Sequence, residues 1–281
     1  MKDLYTQTSI ECSALITRRY STSFSLGIRL LGKEIRNDIF SIYGFVRLAD
    51  EIVDTYQDKN PVEELRLLRE ETFRAIHKGI SFNPVLHAFQ DTVNTYNISP
   101  EYIDAFLYSM ELDLTDQKYD QALYEKYIYG SAEVVGLMCL KVFCQDNEAL
   151  FLELVEPARK LGSAFQKVNF LRDIRSDLVD RKRVYFPGLD ISRFSESDKR
   201  LIEKEIEDEF KEAQKGIDRL PVNSRKGVQL ALNYYKGLLH KIVRSHPSEL
   251  LTKRIRITNF HKMVLLVRNL LQFNSYSYHH A

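Results

Sequence analysis

Apolar residues recur three and four positions apart along nearly the whole chain, while the two-residue alternation of a half-buried strand is scarce. The periodicity predicts helices near 8–20, 33–55, 61–79, 82–95, 99–114, 121–144, 147–177, 195–219, 222–245 and 259–273. Breaks fall at Asn60-Pro61, Asn83-Pro84, Ser99-Pro100, Phe186-Pro187-Gly188, Leu220-Pro221 and His246-Pro247, where a missing amide and a fixed φ interrupt helical bonding. Ser99 suits an N-cap with Pro100 at the first helical position, and Ser195 precedes the acidic start Glu196 and Asp198. No repeat and no flexible linker interrupts the pattern, so a single all-α domain over 1–281 is expected. Segment 134–144 (VVGLMCLKVFC) carries one charge, Lys141, and 263–273 is similarly apolar. Helices apolar around most of their circumference belong at the centre of a bundle, which leaves room for a ligand cavity between them.

Composition narrows the class. The chain has 281 residues, 44% hydrophobic, with 11 Gly and 7 Pro, ample for a large core and too regular for a loop-rich protein. A net charge of +1 argues against a general nucleic-acid binder. Cys12, Cys139 and Cys144 cannot all pair and match no zinc spacing, which suits a reducing compartment. The first 21 residues do not resemble a signal peptide, and no window of about 18 uncharged apolar residues occurs. A cytoplasmic protein is expected.

Polar residues on otherwise apolar helices need an explanation, and two stripes stand out. In IYGFVRLADEIVD (42–54), Tyr43, Arg47, Asp50 and Asp54 are spaced four, three and four apart and share one helical face. An Asp-x₃-Asp pair alone is ordinarily a solvated face, but here Ile42, Phe45, Val46, Leu48, Ala49, Ile52 and Val53 leave little of the helix for water. In QKVNFLRDIRSDLVDRKRVYFP (166–187), Gln166, Asn169, Asp173 and Asp177 form a second stripe beside Arg172. Both stripes combine hard oxygen donors suited to Mg²⁺, with Mn²⁺ as a substitute, and a nearby guanidinium. The run Asp180-Arg181-Lys182-Arg183 reads as a solvated loop or as a basic lid over an anion.

A ligand demanding both metals and guanidinium forks is a diphosphate. An apolar cavity beside it implies an apolar tail, hence a prenyl diphosphate. Metals and cations would draw off the leaving group, and a carbocation would form in a dry, aromatic-lined pocket.

The two stripes resemble the paired aspartate-rich motifs of the squalene/phytoene synthase family, the head-to-head condensing isoprenoid synthases. YSTSFSLGIRLL (20–31) resembles that family's Ser-rich segment, RLADEIVD (47–54) and NFLRDIRSD (169–177) its two Asp motifs, and RVYFP (183–187) the Arg-x-Tyr-x-Pro that follows. YIYGSAEVVG (127–136) is similar to its cavity-lining Tyr-x-Tyr segment, and KRIRITNFHKM (253–263) to its closing basic stretch. The resemblance implies an all-α isoprenoid-synthase bundle with a central cavity. Asp50 and Asp54 would hold Mg²⁺ on one wall, and Asn169, Asp173 and Asp177 on the other. Tyr20, Ser21, Ser23, Tyr43, Arg47, Gln166, Arg172 and Arg183 would contact diphosphate, and Tyr129 would line the pocket near the reacting carbons. Two identical prenyl diphosphates would be joined through a cyclopropylcarbinyl diphosphate that ionises again.

Departures from the family pattern are Glu133, where many members have Gly, and Ser176, where many have an acid. Glu133 is expected to pair structurally. Squalene formation requires a hydride donor, and no Gly-x-Gly-x-x-Gly occurs, though this family needs none to bind NADPH. GSAEVVGLMCL (130–140) looks most like bacterial phytoene synthases, which implies two geranylgeranyl diphosphates giving 15-cis-phytoene for carotenoid synthesis. The alternatives are a dehydrosqualene or squalene synthase using farnesyl diphosphate, and an inactive relative serving as an assembly factor.

Other candidates are weaker. His77, His87, His240, His246 and His261 show no zinc arrangement and suit surface or capping roles. Ser21 and Ser23 lack a Gly-x-Ser-x-Gly elbow. Cys139 and Cys144 suit core packing. Lys253, Arg254, Arg256, Lys262 and Arg268 punctuate apolar residues, as on a solvated face or one resting on an anionic membrane where a greasy product leaves.

Overall fold

The computed structural model describes residues 3–55, 59–115, 119–179, 183–189 and 194–278, with side chains to 273. Every regular element among them is helical: α1 (Leu4–Tyr20), α2 (Thr22–Arg29), α3 (Lys33–Asp54), α4 (Pro61–Lys78), α5 (Pro84–Tyr96), α6 (Pro100–Leu112), α7 (Gln121–Ile128), α8 (Val134–Cys144), α9 (Glu148–Val179), α10 (Glu196–Ile217), α11 (Val222–Val243), α12 (Pro247–Leu250) and α13 (Asn259–Tyr278). A π-helical turn, Tyr129–Glu133, joins α7 to α8.

The helix starts follow from local chemistry. Ser99 caps α6 by accepting from the Glu101 amide, with Pro100 behind it. Ser195 and Asp198 form a reciprocal capping box at α10, satisfying two amides that lack helical partners. Ser21 ends α1 and caps α2, its hydroxyl accepting from the Phe24 amide. α2 and α12 escape the periodicity because eight and four residues are too few to establish a face. The π turn leaves no mark in apolar spacing either.

α1, α3 and α5 pack against one another, while α9 packs against α10, α8 and the π turn. Buried residues form one continuous apolar cluster reaching from Ala14 to Ile255. Pro157 lies inside α9, and α10 passes it at Gly216, where a Cβ would sit 2.3 Å from the proline Cβ. α8 is central as its sequence predicts, with Val134, Leu137, Met138, Leu140 and Val142 buried. The run Gln121–Cys144 is the one helix among the described residues long and apolar enough to cross a membrane, at mean hydropathy 1.4, yet half of that window is buried inside the bundle.

The central position expected for 263–273 is corrected by the structure. α13 packs along α11 at the edge of the bundle and leaves Met263, Val267, Leu270 and Leu271 exposed. Its polar side chains fix this orientation: Lys262 donates to Thr22 and Asn269 to the Lys226 carbonyl, so the edge carrying them turns inward. His87 is also corrected. It is buried, bonded to Thr6 at 2.9 Å and packed on the Tyr5 ring. His246 does cap α12.

Candidate active site

α2, α3, the α7–α8 rod, α9, α10 and α11 enclose a cavity of about 1080 Å³. Both predicted stripes face it. From α3 come Tyr43, Arg47, Asp50 and Asp54; from α9 come Gln166, Asn169, Arg172, Asp173 and Asp177. Tyr20, Ser21, Ser23 and Arg183 line the same space. Arg254, Arg256, Asn259 and Lys262 add polar groups to this rim, and away from it the wall is largely apolar, including Ile28, Leu31, Ile42, Leu140, Phe143, Leu154, Leu161, Ala213 and Ile217.

On α3, Arg47 bonds Glu51 at 2.5 Å, lies 3.7 Å from Asp50, and stacks its guanidinium 4.2 Å above the Tyr20 ring. Burial opposes the charge of Glu51, but bonds from Thr55 and Arg47 hold its carboxyl below the usual range. The Tyr43 phenol is pushed up to about 12, first by burial and then by the Asp50 charge, so it stays a neutral donor at any physiological pH.

On α9, Arg172 reaches Asp173 at 2.5 Å through Nη2, and Arg254 reaches the same carboxylate at 2.7 Å through Nε. Burial works against the Arg172 charge, yet its bond to Asp173 raises its affinity for the proton. Burial and the adjacent Arg172 charge pull the Arg254 guanidinium down. Two guanidiniums crowd one carboxylate there, a geometry that favours a larger anion. Asn169 accepts from the Tyr235 hydroxyl at 3.3 Å, and the Tyr235 ring stacks on Phe165 at 3.8 Å.

Between the stripes, Arg183 lies 3.7 Å from Asp54 and 3.5 Å from Asp113, and donates to the Asp113 carbonyl at 2.5 Å. Tyr127 and Tyr185 donate to the Asp113 carboxylate at 2.8 and 2.9 Å. Burial drives the Asp113 carboxyl upward, with Arg183 opposing it. This network anchors the segment after α9 to the end of α6. Asp113 carries no motif of its own; only the need of Arg183 for a buried counter-charge points to it. Arg254 is a second residue whose role periodicity leaves open: its side chain turns onto Asp173 at the cavity wall.

Tyr129 requires a correction. Tyr127 lines the cavity, while Tyr129 packs with its ring 5.5 Å from the Arg159 guanidinium. Residues two apart on a helix point about 200° apart, so only one tyrosine of the pair faces inward. Glu133 pairs as expected, accepting from Arg159 Nε at 2.6 Å. Cys139 lines the cavity with its thiol pushed up to about 12 by burial. Asp180, Arg181 and Lys182, of the run read as a solvated loop or a basic lid, lie outside the described residues.

Residues 17–261 match the sequence profile of the squalene/phytoene synthase family. The 15-cis-phytoene synthase of Synechocystis sp. is 29% identical over 81% of this chain and 74% of its own. The phytoene synthase of Arthrospira platensis is 27% identical over 92% of this chain and 91% of its own. A crystal structure of a dehydrosqualene synthase in complex with ligand superposes with a TM-score of 0.83 at 22% identity, covering 96% of this chain and 98% of that one. The chain therefore belongs to the squalene/phytoene synthase family, a prenyltransferase family with this helical fold.

Proposed function

We propose that the protein is a cytoplasmic, Mg²⁺-dependent prenyltransferase, a single domain that condenses two geranylgeranyl diphosphates head to head into 15-cis-phytoene through a cyclopropylcarbinyl diphosphate. One observation carries this reading: two stripes of oxygen ligands, from α3 and α9, line one cavity whose wall away from them is largely hydrocarbon and aromatic. Its volume of about 1080 Å³ stands just above the roughly 300–1,000 Å³ usual for small-molecule pockets, as two long prenyl chains demand. The names of the phytoene synthase relatives support the choice of product.

The donor set fits the metal. Asp50 and Asp54 on one wall, and Asn169, Asp173 and Asp177 on the other, offer only oxygen. Among the described residues no three His, Cys, Asp or Glu side chains converge to cage an ion. Mg²⁺ typically takes one or two carboxylates and completes its shell with water and substrate phosphate, so each wall needs to supply only one or two of these oxygens. The bound metal supplies Lewis-acid neutralisation of the departing diphosphate.

The chain's own groups do the rest. Arg47, Arg172 and Arg183 fork onto phosphate oxygens, while Tyr20, Ser21, Ser23, Tyr43 and Gln166 donate from the same rim. The first turn of α2 lies at this rim, where a helix N-terminus favours an anion. Phe165, Tyr235, Phe24 and Tyr127 present aromatic faces and exclude water around the allylic cation. Proton loss ends the sequence, so no hydride donor enters.

The test is incubation with C20 and C15 diphosphates plus Mg²⁺, with and without NADPH, followed by mass analysis. A C40 hydrocarbon from the C20 substrate, independent of NADPH and abolished in Asp50→Ala and Asp173→Ala, is expected. A C30 product alone would move the assignment to farnesyl diphosphate. No hydrocarbon from either substrate, in a folded protein, would overturn it.

A further inference from the structure

A second depression, of about 610 Å³, opens where α1, α2 and α3 meet, and none of the residues lining it lines the cavity. Its size falls within the roughly 300–1,000 Å³ usual for small-molecule sites. Glu11, Ala14 and Arg18 come from one face of α1, at spacings of three and four; Arg36 and Phe40 share a face of α3, and Arg29 ends α2. The same helices serve both spaces. Ile28 and Ile39 line the cavity, while their chain neighbours Arg29 and Phe40 line the depression.

Three arginines around one depression need an explanation. Arg47, Arg66, Arg69 and Arg159 each pair with a carboxylate elsewhere in the fold. Among the described residues Arg18, Arg29 and Arg36 pair with none, although Glu11 lines the same space. Arg36 is fixed in place: its Nη2 donates to the Arg29 and Leu31 carbonyls, both at 2.8 Å, and ties α3 to the end of α2. Its Nε is buried with no bond of its own. Arg18 and Arg29 are exposed and can close on a guest.

Charge and surface together define that guest. Three guanidiniums against one carboxylate leave a surplus of two positive charges. A monoanion does not balance it; a diphosphate does, and its oxygens suit guanidinium forks. Beside the charges, Ile10, Ala14 and Phe40 line the depression at 6%, 6% and 5% exposure, an apolar floor on which an attached hydrocarbon can lie. The positive charge is built into side chains, so this binding needs no metal.

We propose that the depression is a second binding site, separate from the cavity and independent of metal, for a diphosphate that carries a short hydrocarbon chain. The ligand class is read from the depression itself, so the proposal stands apart from the reaction assigned above. Its occupant touches the end of the helix that carries Ser23 and Phe24 into the cavity.

The experiment is isothermal titration calorimetry of the full chain in EDTA, with geranyl diphosphate as the probe and inorganic pyrophosphate beside it. Wild type should bind geranyl diphosphate, and more tightly than pyrophosphate. The double variant Arg18→Ala, Arg29→Ala should bind it at least about tenfold more weakly with unchanged circular dichroism. The cavity variant Arg47→Ala, Arg172→Ala should retain the binding. Absence of wild-type binding in EDTA would overturn the proposal, as would undiminished binding by the first variant. Loss of binding in the cavity variant would also overturn it, by placing the ligand in the cavity, and equal affinity for pyrophosphate would remove the hydrocarbon from the assignment. Sedimentation with phosphatidylglycerol vesicles that depends on Arg18 and Arg29, without binding of the soluble probe, would overturn it by giving these arginines to a lipid surface. Hydrocarbon formation from the C20 substrate is read separately, so either assignment can fail alone.

Discussion

At the scale of single residues, the two aspartate stripes were legible because helical spacing converts directly into a shared face. Asp50 and Asp54 stand one turn apart, as do Asp173 and Asp177, and each sits in a setting too apolar for a solvated helix. What spacing does not encode is partner choice across the fold. Asp113 meets Arg183 only because the end of α6 comes beside the segment following α9. Glu133 shows how such a pairing reads out in stability. Burial raises its carboxyl above the ordinary 4.5, while Arg159 opposes the shift. The folded state thus holds that proton more tightly than the unfolded chain, and the resulting stabilisation is complete below 4.5 and lost as pH rises through the elevated value. Glu133→Gln does not titrate. Urea midpoints should therefore shift in favour of the variant, relative to wild type, as pH is raised across this window. A constant difference between the two proteins would mean that the carboxyl is not buried.

At the scale of elements, periodicity located ten helical segments and misplaced one of them. Segment 263–273 is apolar enough for the centre, yet Lys262 and Asn269 dictate which edge turns inward, and hydropathy averages cannot weigh single hydrogen bonds. The π turn was invisible for a different reason: one extra residue per turn changes which side chains align without changing how many are apolar. Its packing depends on a close approach to α9. A Cβ at Gly162 would stand 2.7 Å from the Ala132 carbonyl oxygen and 3.0 Å from the Glu133 Cα, both backbone atoms of the turn. Gly162→Ala should consequently lower stability by about 1–3 kcal/mol, the usual cost of overpacking a tight contact. Chemical denaturation measures it, and an unshifted midpoint would refute so close a crossing.

At the scale of the whole molecule, the fold's task is to bring two stripes separated by more than a hundred residues onto one cavity. If they share a diphosphate and its metal ions, each ligand needs the other for tight binding. Mg²⁺ and pyrophosphate added together should raise the melting temperature by more than the two separate shifts combined, because only the assembled set engages both walls. Scanning calorimetry of the protein without substrate tests this directly. Equal or merely additive shifts would argue for unconnected sites.

The two guanidiniums gathered on Asp173 have one more consequence. A vestibule whose opposite charges already satisfy one another has little appetite for a stray divalent ion. On the proposed function, an arriving pyrophosphoryl headgroup would compete for Arg172 and Arg254, and Asp173 would then be released for other company. Loading should accordingly follow an order, anion ahead of cation, with the guest's own arrival unlocking the seat of its metal escort.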